Sequence, residues 1–477
     1  MQGDRLSGLD ASFLHLEDDS AHMHVASVII FEGEAPEYND MLAHIERRLH
    51  LVPRYRQKLA FVPFAQGRPR WVDDPHLNLR YHLRHAGLPA PGTEQQLQAL
   101  ASRVFAQPLD RDKPLWELSL VDGLEGNRFA VLAKTHHALV DGISGVDILT
   151  VLFDTSPEPA APADPGNSWI PRPTPTGAQL LGEALVERAT VPAEAARSFR
   201  ALLRAPRAVA REAVETAAGV GAMAWAGLNP APTTPYNRPI GPHRRFTWVR
   251  ASLDDVKAIK NELGGTVNDV VLTVVAGALG RHLRRRGVST ENLELKAMVP
   301  VSVRPEDHHA PDLGNNVAAM MAPLPVWCQD PYARQQIMRE SMEHLKEGGQ
   351  AVGAQALTEL TGFAPATIMG QAARLMSRQR FFNLVITNVP GPQIPLYLMG
   401  RQALDPFPLV PLAKNQGLGI AIMSYNGRMD FGLVGDYDVM YDLDKLAEDL
   451  EESLAELAEA AGRKITRTMA GSAGRSA

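Results

Sequence analysis

Residues 128–142 read RFAVLAKTHHALVDG, and the organisation of the whole chain follows from how they fold. The stretch from Phe129 to Lys134 has the length and apolar content of a buried strand, whereas the residues from Ile143 onward carry helical periodicity. His136, His137 and Asp141 are therefore delivered where a strand ends. If the strand persists that far, neighbouring side chains point to opposite faces and the two histidines do not form a chelating pair. One is expected to do chemistry and the other to be structural. Gly142 supplies the backbone freedom that the following turn requires.

Outward from this stretch, strands alternate with helices. Strands are expected over Val25 to Phe31, Leu118 to Val121 and Phe129 to Lys134, and helices over Tyr38 to His50, Thr93 to Phe105 and Ile143 to Phe153. Seven prolines between Pro157 and Pro175 exclude both helix and sheet and mark a linker. Beyond it, strands are expected over Thr247 to Ala251, Leu295 to Val301, Asn383 to Thr387, Leu418 to Ser424 and Met429 to Val434. Helical patterns fall over Leu253 to Glu262, Asp269 to Arg286, Tyr332 to Lys346 and Leu443 to Ala461. This is an α/β chain. Its expected division is an N-terminal domain over 1–156, a linker with a basic helical segment over 157–242, a C-terminal domain over 243–465 and a disordered tail over 466–477.

At 477 residues the chain exceeds what one hydrophobic core serves, which agrees with two domains. A hydrophobic share of 45% and a net charge of −6 describe an ordinary globular protein with no global electrostatic case for nucleic acid. The first residues lack a basic region followed by an apolar core, and no apolar run reaches the roughly 18 residues of a membrane span. A cytoplasmic location follows as an expectation. The single cysteine, Cys328, excludes an internal disulfide and reads as a small half-buried residue.

One segment stands apart. Arg197, Arg200, Arg204, Arg207 and Arg211 recur at spacings of three and four, opposite Phe199, Leu202, Leu203 and Val209, with a kink expected at Pro206. Ala217 to Leu228 follows, apolar but too short to span a bilayer. Two readings stand: an interdomain helix with solvated arginines, or peripheral contact with a membrane or lipid inclusion.

For the chemistry, a histidine is the side chain best placed to take a proton near neutral pH, and His137 is the candidate base. Asp141 either orients an imidazole or forms a buried ion pair that sets the loop. No Gly-x-Ser-x-Gly elbow accompanies them, so a serine hydrolase lacks its nucleophile. The His-x-x-x-Asp spacing has no His-Glu-x-x-His or cysteine cluster beside it, and no metal is expected. His308 and His309 sit in a polar Pro-Glu-Asp-His-His-Ala-Pro loop.

The motif resembles the His-His-x-x-x-Asp-Gly signature of the coenzyme A-dependent acyltransferase superfamily, and other segments resemble its bacterial wax ester synthase/diacylglycerol acyltransferase branch. Those segments are Leu6-Ser-Gly-Leu-Asp-Ala-Ser-Phe-Leu, Pro114-Leu-Trp-Glu, His243-Arg-Arg-Phe, Thr266-Val-Asn-Asp-Val-Val, Met298-Val-Pro-Val-Ser-Val-Arg, Gly314-Asn-Asn and Thr387-Asn-Val-Pro-Gly-Pro. Thr387 stands where the family usually has serine and keeps the hydroxyl.

The resemblance implies two chloramphenicol acetyltransferase-like domains with mixed sheets and an active-site tunnel between them. It implies that the second histidine, His137, removes the proton from an alcohol that attacks an acyl thioester. It places Asn268 near the reacting centre, where its amide can donate to an oxyanion; the alternative is an N-cap for the helix from Asp269. His136, Gly142, Pro114, Leu115 and Trp116 are expected to be structural parts of the motif and the first domain. The implied reaction moves a fatty acyl group from acyl-CoA to diacylglycerol or a long-chain alcohol, giving triacylglycerol or wax ester. No cofactor is needed, because acyl-CoA is the donor substrate, and the residues that contact coenzyme A are unassigned. A freestanding condensation-type enzyme shares the motif, but Leu263-Gly-Gly is followed by Thr266 and Val267 rather than a carrier signature. A non-catalytic lipid-binding protein of the same fold is the other alternative.

Overall fold

A computed structural model of the chain describes residues 5–139, 152–158, 169–186, 230–302, 317–347 and 381–463. Strand β1 (His24–Glu32) lies beside β6 (Arg128–His136), which in turn pairs with β5 (Trp116–Leu124), all antiparallel. Phe129, Val131 and Ala133, with Ile29 and Phe31, enter a core shared with helices α1 (Gly8–Leu16) and α2 (Tyr38–Arg48). The alternate residues Ala130 and Leu132, with Val28 and Ile30, enter a second core on the opposite face. Burial on both faces is why this strand reads as a nearly continuous apolar run.

A hairpin of β2 (Gln57–Ala60) and β3 (Arg70–Asp73) stands apart from this sheet. After the single-turn helix α3 (Leu79–His82), β4 (Leu83–Gly87) runs parallel to β5 and forms one edge. Helix α4 (Glu94–Ala106) begins with a capping box between Thr93 and Gln96 and sends Leu97, Ala101 and Phe105 into the second core.

The second sheet has the order β7-β14-β13-β10-β8-β9, made from β7 (Arg244–Ser252), β8 (Leu295–Ser302), β9 (Val317–Leu324), β10 (Leu384–Pro390), β13 (Leu418–Tyr425) and β14 (Arg428–Asp436). β10 is parallel to β8 and β13 and the other pairs are antiparallel, so the sheet is mixed. Its core is shared with α5 (Leu253–Leu263), α6 (Val267–Arg285), α7 (Pro331–Glu347) and α8 (Leu443–Ala460). α6 is buried without interruption from Asp269 to Gly280, the pattern of a helix enclosed on all sides. α8 turns Leu443, Leu446, Leu450, Leu454 and Leu457 toward it at helical spacing.

The sheets do not follow the division of the chain at residue 243. β11 (Tyr397–Leu398) and β12 (Arg401–Leu409) come from the C-terminal half, yet they complete the first sheet, with β12 antiparallel to β1. Pro406 and Pro408 hid this strand from propensity. Two residues apart, they turn their ring nitrogens to one edge, and β11 reaches only Arg401 and Gln402 along it, so no ladder bond is lost. From β12, Phe407 stacks on Trp248 of β7 with ring centres 4.5 Å apart, and Asp405 pairs with Arg250 at 3.0 Å. These contacts tie the two sheets into the shared second core, which also takes Phe246, Val385, Ala421 and Val434.

Residues 169–175 of the linker are bound to the first half, since Arg172 bridges to Asp73 at 3.0 Å and Trp169 lies under Arg56. A helical stretch over 177–186 packs Leu180 and Ala184 on Val62. Among the described residues no single helix is long and apolar enough to cross a membrane; α5 and α6 pass together only as a pair bent by 97°, and both belong to the core of the second sheet. The arginine stripe, Ala217 to Leu228, His308, His309, most of the helix expected from Ile143, and the tail over 466–477 lie outside the described residues.

Candidate active site

Pro114, Leu115 and Trp116 are buried directly behind the histidines. The Leu115 carbonyl accepts from the His136 N–H at 2.9 Å. Trp116 donates its indole N–H to the Tyr55 carbonyl at 2.9 Å and stacks on His82, with ring centres 4.5 Å apart. A large rigid side chain thus backs the end of β6.

The strand stops at His136, so strict alternation does not carry His137 to the opposite face. The chain turns there instead: His136 Nδ1 accepts from the Ala138 N–H at 3.0 Å, and its carbonyl accepts from the Leu139 N–H at 2.8 Å. With Nδ1 acting as acceptor, the neutral ring carries its proton on Nε2, which lies 3.2 Å from Glu17 Oε1. His136 is almost wholly buried. His137 keeps a partly exposed surface, donates its backbone N–H to the Met23 carbonyl at 2.8 Å, and stacks its ring on Phe13 with centres 4.0 Å apart. Both histidines are therefore held by the C-terminal end of α1, one by Glu17 and the other by Phe13.

Burial pulls the pKa of His137 down from 6.5 to about 4. The imidazole is neutral at pH 7, which is the form that accepts a proton. Burial likewise holds His24, paired across the strands with His136, well below its ordinary value. For Glu17, burial alone would raise the pKa. Contacts with His136, Arg111 and His24 outweigh it and hold the carboxyl well below the usual range.

Asn268 is the second residue of α6, and it is not the cap. Thr266 occupies that position: its hydroxyl accepts from the Asp269 N–H, and Asp269 returns a bond to the Thr266 N–H at 2.7 Å. The Asn268 side-chain oxygen instead accepts from Asn388 Nδ2 of β10 at 3.4 Å. Asn388 belongs to the Thr387-Asn-Val-Pro-Gly-Pro segment, whose Gly391 is required because a Cβ there would lie 2.4 Å from the Ser424 carbonyl.

The expected residues thus fall in two groups, one around His136, His137, Pro114, Leu115 and Trp116, the other at Asn268. No hydrogen bond, ion pair or ring contact joins the two among the described residues. Asp141 and Gly142 lie outside them. Glu17, Phe13, Arg111 and Asn388 went unread as site residues, although Phe13 and Asn388 lie inside segments that carried the resemblance. A cleft of about 1090 Å³ opens between α4 and β7, bordered by Arg103, Arg245 and Tyr437, but neither His137 nor Asn268 lines it. Among the described residues no group of three or more histidines, cysteines or carboxylates could hold a metal.

Residues 6–271 match the model of the wax ester synthase/diacylglycerol acyltransferase catalytic domain, and residues 313–458 match that of the family's C-terminal domain. The chain belongs to the wax ester synthase/diacylglycerol acyltransferase family. It is 34% identical over 467 residues to tgs1 of Mycobacterium tuberculosis strain H37Rv, a protein named as a probable diacylglycerol O-acyltransferase, with 97% of each chain covered. A wax ester synthase/diacylglycerol acyltransferase from Marinobacter aquaeolei VT8 superposes with a TM-score of 0.65 at 27% identity, covering 96% of this chain and all of that one. The starter condensation domain of rhizomide synthetase superposes with a TM-score of 0.57 at 14% identity, covering 97% of this chain and 95% of that one, a likeness of fold alone. Family and fold agree with the two-domain chloramphenicol acetyltransferase-like architecture inferred from the motif.

Proposed function

We propose that this member of the acyltransferase family moves a fatty acyl group from acyl-CoA to the hydroxyl of diacylglycerol or a long-chain alcohol, with His137 as general base and no added cofactor. The observation that carries this reading is a neutral, partly accessible His137, braced by Phe13 and Met23. The alcohol oxygen attacks the thioester carbonyl as its proton passes to His137. The tetrahedral intermediate then expels the coenzyme A thiolate, which takes the proton back, so ester and free thiol leave together. Incubation with a panel of acyl-CoA donors and acceptors, followed by mass spectrometry, tests the reading. Ester products dependent on acyl-CoA are expected, and their absence for every acceptor would leave a non-catalytic lipid-binding protein.

Asn268 fits the oxyanion role because its oxygen is engaged by Asn388, which leaves its amide N–H groups to donate. Replacing Asn268 with Asp keeps the size but sets a negative charge against a developing oxyanion. Turnover should fall about 10²- to 10³-fold with KM little changed, the magnitude for loss of one oxyanion donor. A loss confined to melting temperature, with normal turnover in the folded fraction, would return Asn268 to a purely structural role.

A peripheral location on the inner membrane face or on lipid inclusions is part of the same proposal. Its support is the exposure of several large apolar side chains: Phe64 is 83% exposed and Ile170 80%, with Leu185 and Val186, the last of the described residues before the arginine-rich segment in sequence, also exposed. Exposed apolar side chains and a sequence segment rich in arginine are what contact with an anionic lipid surface calls for. Binding to anionic vesicles should weaken with salt, since screening sets in beyond about 8 to 10 Å at ordinary ionic strength. Changing Arg200, Arg204 and Arg207 to Gln should weaken it further while sparing activity on a soluble alcohol. Binding indifferent to both would favour an interdomain helix.

A further inference from the structure

We propose that Glu17 is a positioning residue for the acyl transfer, a buried carboxylate that holds His137 in register through two separate paths. The inference rests on His137 being the base. Glu17 follows immediately after α1 as its C-terminal cap residue, and its side chain is 9% exposed. Its oxygens are divided between two sets of donors. Oε1 accepts from the Met23 N–H at 2.8 Å and faces Nε2 of His136 at 3.2 Å and of His24 at 3.7 Å. Oε2 is taken by the Arg111 guanidinium, whose other nitrogen contact is the Leu14 carbonyl in the last turn of α1, at 3.2 Å.

The partners of Oε1 lead to His137 by two paths. Met23, fixed at its N–H by Glu17, fixes the His137 N–H with its own carbonyl, so the carboxylate and the backbone of His137 are joined through one residue. The second path runs through the His136 ring, whose Nδ1 holds the Ala138 N–H and shapes the turn just after His137. Arg111 ties the same carboxylate to α1, the helix that also carries Phe13 against the His137 ring. A displacement of about 1 Å in a reacting group can cost on the order of 10²-fold in rate, so a brace of this kind bears on turnover without touching substrate.

The chemistry requires a carboxylate here. An ionised carboxyl has two acceptor oxygens, whereas an amide has one acceptor and a donating NH2. In Glu17→Gln the oxygen can satisfy Met23 and His136 or it can satisfy Arg111, and the NH2 must then oppose the remaining donor. Glu17→Asp keeps both oxygens but shortens the reach by one methylene, so only one set of partners can be kept at full contact.

The test is steady-state kinetics on the full chain with one acyl-CoA and one long-chain alcohol. It compares Glu17→Gln and Glu17→Asp, each alone and combined with His137→Ala, with melting temperature measured for all. Glu17→Gln should lower kcat about 10- to 100-fold with KM for both substrates within about twofold, because the interaction lost is needed only as the proton moves. Added to His137→Ala, it should lower the residual rate no further. A near-normal kcat for folded Glu17→Gln overturns the proposal. So does a loss lying in KM, or an equal fractional loss when His137 is already absent. If Glu17→Gln does not fold, Glu17→Asp carries the same comparison, and a normal kcat there overturns the proposal equally. A normal kcat in His137→Ala alone sinks the base assignment; a large His137 loss beside a silent Glu17 sinks only the positioning role.

Discussion

Replacing His137 with Ala should lower turnover by about 10² or more while leaving the protein folded, since a positioned general base contributes roughly 10²- to 10⁴-fold and His137, unlike His136, keeps a partly exposed surface. His136→Ala should behave differently. It removes the acceptor for the Ala138 N–H and leaves the Glu17 carboxylate buried without one of its partners, so its first effect is on stability and yield, on the order of a few kcal/mol. If the His136 variant alone lost turnover while His137→Ala stayed near normal, the roles would be exchanged. The pH profile adds a second arm. Protonation of His137 inactivates the base, and with its pKa drawn down to about 4 the rate should stay level as pH falls from 8 to about 5.5. An acidic limb centred at the ordinary histidine value near 6.5 would contradict the burial of the ring. Stability has the matching sign: His24 and His137 are held neutral in the fold while the unfolded chain binds protons below about pH 6.5, so stability declines as pH drops through that range.

Gly432→Ala should be among the most damaging small substitutions in the chain. Gly432 lies in β14 where β12 passes over it, and a Cβ there would sit 1.8 Å from the Pro408 carbonyl oxygen and 3.2 Å from the Phe246 ring. Backbone cannot yield as a side-chain tip does, so β12 must lift away from the second sheet. We expect a loss of about 3 kcal/mol or more, at or above the upper end for overpacking. Denaturant unfolding measures it directly, and a change below about 1 kcal/mol would mean that the crossing strand is free to move. Turnover in the folded fraction should fall as well, because β12 pairs along β1, which positions β6 and its histidines.

Much of the secondary structure was legible because its signals are local. The strand expected over Phe129 to Lys134 spans Arg128–His136, and the helix expected over Leu443 to Ala461 spans Leu443–Ala460. The capping box at Thr266 and Asp269 was equally local, yet the resemblance drew attention to Asn268, and the cap offered there as an alternative lies two residues past the true one. β12 was missed for the opposite reason. Its prolines speak against a strand in any local window, and only the vacant edge beside β11 makes them harmless.

By itself the chain's sequence determined the alternation of elements, the division into two sheets' worth of apolar periodicity, and the His-His-x-x-x-Asp-Gly motif that led to the family. These depend on spacings of two, three and four residues, which any short window contains. The tertiary structure alone decided that β12 crosses from the C-terminal half into the first sheet and that Glu17 meets Met23, Arg111 and His136 around one carboxylate. It also decided that the second histidine is neutral. Those outcomes arise from burial and from pairing between segments far apart in the chain, where desolvation strengthens each charge and hydrogen bond, and no local pattern records which distant partner will be there.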